Sequence, residues 1–317
     1  MIARGFSMIP PVISPQFEVF MPAFCRRLRQ FLSFKSPPHL ADLENSPKPI
    51  CEAFGGTDKG LVRPTNQDAL WYDADMGAFA VADGLGGHQS GEVASTLAIR
   101  QCHRVIAEAW SENRWIWPSS WGRMRLEPQD DLPPKILRHA LWVAHRFLIR
   151  SMVAQPEWAG MGTTLTAAII SGQRLHIAHV GDSRLYLFRD GQLKQCTRDH
   201  SYLQFLIDAG LVRSEEARNH PARTRLLQSL GGKSMAIDHS LQVLQEGDRL
   251  LLCTDGLHHM VPNEALTLLM GQSNVSPNQL VHQLIQEANS QGGRDNIALI
   301  VVFLASGEAP RRQGPLP

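Results

Sequence analysis

Apolar positions along this chain change period several times, and each change predicts an element. Residues 78–82 form a continuous apolar run that stops at Asp83-Gly84. A short apolar run bounded by glycine reads as a buried strand. Over 90–109, Ala94, Leu97, Ala98, Cys102, Val105, Ile106 and Ala109 recur at helical spacing, which predicts an amphipathic helix. A second helix is predicted over 136–152, where Leu137, Ala140, Leu141, Ala144, Phe147 and Leu148 share one face. Between the two lies a polar connection, 110–134, carrying Trp110, Trp115, Trp117 and Trp121 among Arg114, Arg123 and Arg125; it reads equally as an exposed protein interface or as tryptophans folded back over the helices.

Strand-like runs then follow at 162–170, 174–180, 184–188 and 192–196, separated by short glycine-containing turns. Asp190-Gly191 is a two-residue hairpin signal, because a type I′ turn needs positive φ at both central residues. Earlier, 50–73 reads as two short strands joined by a glycine-rich turn. Later, 199–220 reads as a polar helix, 241–244 and 249–253 as strands, 277–288 as a helix and 297–304 as the last strand. Strands in consecutive runs with tight turns pair antiparallel. Helices in separate pairs then make an α+β architecture: two packed antiparallel sheets with helices outside.

Composition narrows the picture. The chain has 317 residues, 43% hydrophobic positions and a formal charge of +1, enough for a sizeable core. That charge gives no global field for nucleic acid or an anionic membrane. Cys25, Cys51, Cys102, Cys196 and Cys253 are scattered with no CxxC pair. Their odd number opposes a disulfide scaffold and a zinc knuckle and fits free thiols in a reducing cytoplasm. No apolar run approaches the ~20 residues that span a bilayer. The first 47 residues, rich in proline, read as an extension without a secretory signal, and 307–317 reads as a tail. Inside the extension, 24–35 sets Phe24, Leu28, Phe31 and Leu32 among four basic residues. It reads either as a basic amphipathic helix touching a membrane or a partner, or as a frayed tail. Its length, below that of a stable isolated helix, favours the tail.

Several acids stand beside glycine or at predicted strand ends: Asp68, Asp83, Asp182, Asp255 and Asp295. Each Asp-Gly alone is an ordinary turn. Together they offer the oxygen donors that Mg²⁺ or Mn²⁺ prefers, in an octahedron completed by water. Two such ions can hold a hydroxide between them and clamp a phosphate. There is no cysteine-phosphatase loop and no GxxxxGK[ST] loop for a nucleotide.

Six motifs carry a resemblance. RPTNQD (63–68), VADGLGGH (81–88), GMGTTLTA (160–167), HVGDSR (179–184), LLCTDG (251–256) and GGRDN (292–296) stand in the order found in metal-dependent protein phosphatases of the PP2C type. The chain resembles the compact bacterial branch over roughly residues 50–304. The resemblance implies a four-layer αββα sandwich over 48–306, with a flap at about 199–220 beside a metal site at one edge. It implies that Asp83 bridges two ions, Mn²⁺ or Mg²⁺, and that Gly84 lends its carbonyl to the second. It implies Asp255 and Asp295 as further ligands of the first ion and Asp182 as a ligand of a third, weaker one. Arg63 is implied to bind phosphate, Asp68 to hold metal-bound water, and Asn296 to orient Asp295 or a water.

The implied enzyme is a cytoplasmic, monomeric protein serine/threonine phosphatase. It works by direct hydrolysis through a metal-bridged hydroxide, on phosphoproteins made by a bacterial Ser/Thr kinase. Two positions depart from the animal pattern: Gln67 stands where a Glu is found and Leu85 where a proposed acid His is found. The proton donor is therefore open between a metal-bound water and His88, and a structural role suits His88 better. His258 and His259 could approach the site, and read better as helix-capping or solvent-facing. Two rivals remain: a catalytically weak PP2C-like module that binds phosphoproteins, and a hydrolase of another phosphate ester.

Overall fold

The computed structural model describes residues 50–86, 90–112, 114–121, 131–213, 216, 220–233 and 235–305. The expectations for the extension over 1–47, for the tail over 307–317 and for His88 lie outside these residues. In chain order the main elements are β1 (Ile50–Asp58), β2 (Asp68–Asp73), β3 (Ala78–Leu85), α1 (Ser90–Glu108), the small pair β4 (Trp110–Ser111) and β5 (Arg114–Trp115), and α2 (Leu132–Ala154). There follow β6 (Gly162–Thr163), β7 (Leu165–Ser171), β8 (Arg174–Val180), β9 (Arg184–Arg189), β10 (Gln192–Gln195) and α3 (Tyr202–Asp208). The chain continues through β11 (Asp238–Val243), β12 (Arg249–Cys253), α4 (Asp255–His258), α5 (Asn263–Met270), α6 (Pro277–Ser290) and β13 (Ile297–Ala305).

Two antiparallel sheets result. One has the order β1-β13-β12-β9-β10; the other runs β11-β8-β7-β3-β2, with β6 paired to the end of β3. Strand alternation sorts side chains to two faces, so a two-sheet stack flanked by helices needs three apolar layers. The structure has three. Phe79, Val81, Ile170, Ile177, Leu185, Leu250, Leu252, Ile300 and Val302 fill the space between the sheets. Ala80, Ala167, Ile169 and Ala178 turn outward from the second sheet against the apolar stripes of α1 and α2. Leu251, Leu299 and Val301 turn outward from the first against Leu266, Leu280, Val281 and Leu284. This is the αββα sandwich.

Local chemistry fixes several boundaries. Asp190 and Gly191 have φ of 49° and 75°, the positive pair a type I′ hairpin requires. A capping box starts α6: the Gln279 N–H donates to Ser276 Oγ at 3.2 Å and the Ser276 N–H to Gln279 Oε1 at 2.9 Å. Three differences from the sequence reading stand out, and one open alternative is decided. The α2 helix begins at Leu132, not 136, because its early prolines occupy N-terminal positions where the missing N–H is no loss. The helix expected over 199–220 shrinks to the seven residues of α3. Downstream of β12, α4 and α5 were not anticipated, since Pro262 breaks their apolar pattern into two short pieces. The tryptophans fold back: Trp115 and Trp121 pack against the α1/α2 core, and Trp121 Nε1 donates to Glu108 at 2.8 Å.

Fully buried His176 on β8 makes stability pH-dependent. Burial, helped by the Arg174 and His239 charges, pushes its pKa down to about 3. The Asp131 carboxylate, 3.2 Å from Nε2, pulls the other way and does not prevail. In the unfolded chain the imidazole titrates near 6.5. Below that pH the unfolded state binds a proton that the folded state refuses. Stability is therefore complete above about 6.5 and falls as pH drops towards 3, by up to ~1.4 kcal/mol per pH unit from this residue. The carboxyls of Asp68, Asp83 and Asp182, held above their ordinary range, act in the opposite direction, so the histidine is read as a difference: between pH 7, 5.5 and 4.5 the urea midpoint of His176→Gln should gain steadily on that of wild type.

Candidate metal centre

The strand ends deliver the acids. Asp68 opens β2 directly across from Asp83 near the end of β3. Asp255 starts α4 immediately after β12, Asp295 precedes β13, and Asp182 lies in the turn between β8 and β9. All five face one region. Burial is the largest cause raising the Asp68, Asp83 and Asp182 carboxyls well above the usual range. The neighbouring acids add to it: Asp83 feels Asp68, Asp255, Asp182 and Asp295 together. Asp295 is raised by burial and by Asp255. Asp255 is the exception. Burial pushes it up, but hydrogen bonds from His259 and Asp83 and the charges of His259 and Arg63 outweigh that and lower it.

Carboxylates that repel one another in a poorly hydrated place need a cation. The donors on offer are oxygen, which suits a small hard divalent ion rather than a thiolate- or imidazole-seeking one. Among the described residues no three His, Cys, Asp or Glu side chains already close a cage around one point. A hard ion that keeps several of its waters needs no such cage.

The supporting shell is dense. Thr254 Oγ1 donates to Asp68 Oδ2 at 2.7 Å and accepts from the Ala298 N–H at 2.8 Å. The Asp83 N–H donates to Thr164 Oγ1 at 2.9 Å. Arg63 Nη2 pairs with Asp295 Oδ2 at 2.7 Å, at the open edge. Asn296 meets Asp295 through its backbone, while its side chain makes other contacts. Its amide donates to the Lys59 and Thr65 carbonyls at 2.9 and 2.8 Å and accepts from the Gln67 N–H at 2.8 Å, stapling the Arg63 loop. Only its backbone N–H reaches Asp295, at 2.9 Å.

Two sequence expectations change. The strand does not stop at Asp83; β3 continues to Leu85 because Gly84 and Leu85 pair with Thr163 and Gly162. Gly84 is also required for a different reason. A Cβ there would sit 2.1 Å from the Gly91 carbonyl and 2.5 Å from that of Gln67, so the residue must be glycine to seat β3 under α1. The two histidines also lie closer to the site than their sequence suggested. His258 is half-buried with Nε2 3.1 Å from the Asp182 carbonyl, and His259 Nδ1 lies 3.2 Å from Asp255 Oδ2. The helical register of α4 makes that contact, i to i+4, but a four-residue helix leaves too little periodicity to read.

A profile of the protein phosphatase 2C family matches residues 62–297. The chain belongs to the protein phosphatase 2C family. Among curated PP2C relatives, the serine/threonine protein phosphatase PstP of Mycobacterium tuberculosis is 36% identical over 245 residues, covering 77% of this chain and 43% of PstP. The chain thus spans less than half of that relative's length. The serine/threonine phosphatase stp of Listeria welshimeri is 35% identical over 251 residues, covering 78% of this chain and 93% of stp. Among solved structures, that of the M. tuberculosis PstP/Ppp phosphatase superposes with a TM-score of 0.70 at 34% identity, covering 81% of this chain and 99% of that one. The PstP catalytic domain in complex with two manganese ions gives 0.68 at 33% identity, with the same coverage of 81% and 99%.

His259 is placed to orient Asp255, should that acid hold a metal. Outer partners that orient a ligand typically contribute 10–100-fold in metal affinity. His259→Ala is therefore expected to weaken Mn²⁺ binding by about that factor, with His259→Asn retaining part of it through its amide donor. Titration calorimetry measures both; an unchanged Kd in the alanine variant rejects the role.

Proposed function

We propose that this chain is a metal-dependent protein serine/threonine phosphatase that hydrolyses phosphoserine and phosphothreonine in protein substrates. The observation that carries the reading is the gathering of Asp83, Asp255 and Asp295 into one partly buried, mutually repelling set, with the Arg63 guanidinium at its open edge. Asp83, the Gly84 carbonyl, Asp255 and Asp295 would hold two Mn²⁺ or Mg²⁺ ions, and Asp182 a third. When bound, such ions supply Lewis acidity and lower the pKa of coordinated water. The chain's own groups do the rest. Arg63, half-exposed, offers a planar fork to two phosphate oxygens and stabilises charge that builds on them. Thr254 fixes Asp68 facing Asp83, and the acids orient the reacting face. No side chain needs to become phosphorylated.

The reading carries further expectations: a Ser/Thr kinase whose phosphoproteins it reverses, a monomeric state, and a cytoplasmic setting. The described cysteines Cys102, Cys196 and Cys253 are free thiols, which supports a reducing compartment. No described helix is long and apolar enough to cross a membrane. The full set of acids supports turnover over the alternative of a phosphoprotein-binding module with weak catalysis. Phosphate release from a phosphothreonine peptide, with Mn²⁺ and then with EDTA, tests it: release should require the metal, and release that survives EDTA rejects the mechanism. Parallel assays on nucleotides and phosphodiesters test the other rival.

A further inference from the structure

Leu61 and Val62, immediately before Arg63, are 69% and 66% exposed. Surface aliphatics are common singly, but this pair is held in place. The Leu61 and Val62 N–H groups both donate to the Gly293 carbonyl, at 2.7 and 3.3 Å. Just before them, the Gly60 N–H donates to Asp58 Oδ1 at 2.8 Å. Asn289 Nδ2 braces the same oxygen at 3.2 Å. The Asn296 amide clamps the loop on both sides through Lys59 and Thr65. The segment is pressed so closely on 293–295 that a Cβ at Gly60 would lie 2.3 Å from the Asp295 carbonyl. A Cβ at Gly293 would lie 2.8 Å from Leu61 Cγ. The result is a fixed aliphatic ledge, continuous in the chain with the arginine that meets the phosphate and packed on the strand entry that carries Asp295.

We propose that Leu61 and Val62 form a substrate subsite that takes an aliphatic side chain flanking the phosphorylated residue. This rests on the phosphatase reading above. With the phosphate held at Arg63, the adjoining residue of an extended substrate has its Cα only 3.8 Å from that of the phosphoresidue. The subsite places its side chain on the ledge one and two residues before Arg63 in the chain. The ledge itself carries no charge or side-chain hydrogen-bonding group, so it discriminates by covering apolar surface and disfavours a polar or acidic neighbour. Because the ledge lies on one side of Arg63, the preference belongs to one side of the phosphoresidue.

The test compares kcat/KM for phosphothreonine peptides that differ at one position, with Leu, Ser or Glu placed directly before or directly after the phosphothreonine. An apolar contact of this size discriminates about tenfold. Wild type should prefer Leu over Ser by about that ratio on one side. The double variant Leu61→Ser, Val62→Ser should bring the ratio near one. Because the readout is a ratio within one protein sample, partial misfolding does not mimic it. A wild-type ratio near one, or a ratio that survives the double substitution, overturns the subsite. The aryl ester p-nitrophenyl phosphate separates the two readings. Hydrolysis of the ester and of the peptides without a flank preference removes the subsite alone. No hydrolysis of any of them removes the phosphatase reading and the subsite with it.

Discussion

In Asp83→Asn, Mn²⁺-dependent turnover of a phosphothreonine peptide is expected to fall on the order of 10³-fold, while the metal-free protein melts at a higher temperature than wild type. The opposite signs have one cause. Asp83 lies in the field of Asp68, Asp255, Asp182 and Asp295, and burial already raises its carboxyl. Asparagine keeps the shape and removes one repelling charge, so the metal-free fold relaxes. The same change removes the acid proposed to serve two ions. Wild type should then recover the difference when metal is added, because a ligand at a hundred times its Kd stabilises the folded state by ~2.7 kcal/mol. Thermal melts with and without Mn²⁺, beside the peptide assay, give all four numbers. A variant that loses activity and also melts lower without metal would show Asp83 to be structural.

Such a site conserves charge at the expense of stability, and this is why it was legible in the sequence. Five acids beside glycines and strand ends are hard to explain as turns taken together, and the structure brings all five to one region. The strand 174–180 and the Asp190-Gly191 hairpin were equally legible, because burial on both faces and positive φ each leave a local signature. What was not legible depends on residues far apart in the chain. The continuation of β3 through Gly84 and Leu85 is set by Gly162 and Thr163. The need for glycine at 84 is set by the Gly91 and Gln67 carbonyls. The approach of His259 to Asp255 depends on a four-residue helix whose existence no periodicity announces. The exposed Leu61 and Val62 give no signal of their own in sequence; their bonds to Gly293, far away in the chain, distinguish them.

Gly256→Ala is expected to lose on the order of 3 kcal/mol or more of folding stability and most soluble yield. The residue follows Asp255 in α4. A Cβ there would stand 1.9 Å from the Asn296 carbonyl oxygen and 2.9 Å from its carbon. No flexible side chain can yield, since both atoms are backbone. Nor can that backbone retreat. Asn296 is tied to three backbone groups of the 59–67 loop, and the next residue enters β13, which pairs with both β1 and β12. The Thr254 N–H also donates to the Ala298 carbonyl at 2.9 Å, locking the two segments together. The methyl must therefore push Asp255 away from Asp295, which damages the fold and the ligand set together. Gly191→Ala provides the comparison. There φ is +75° and nothing lies within 4 Å of a Cβ, so the cost is conformational alone, ~1–2 kcal/mol. Chemical denaturation of the two variants should separate them clearly. Saturating Mn²⁺ should restore the stability of Gly191→Ala by as much as it does for wild type and that of Gly256→Ala by far less, because only the second displaces residues that would hold the ion.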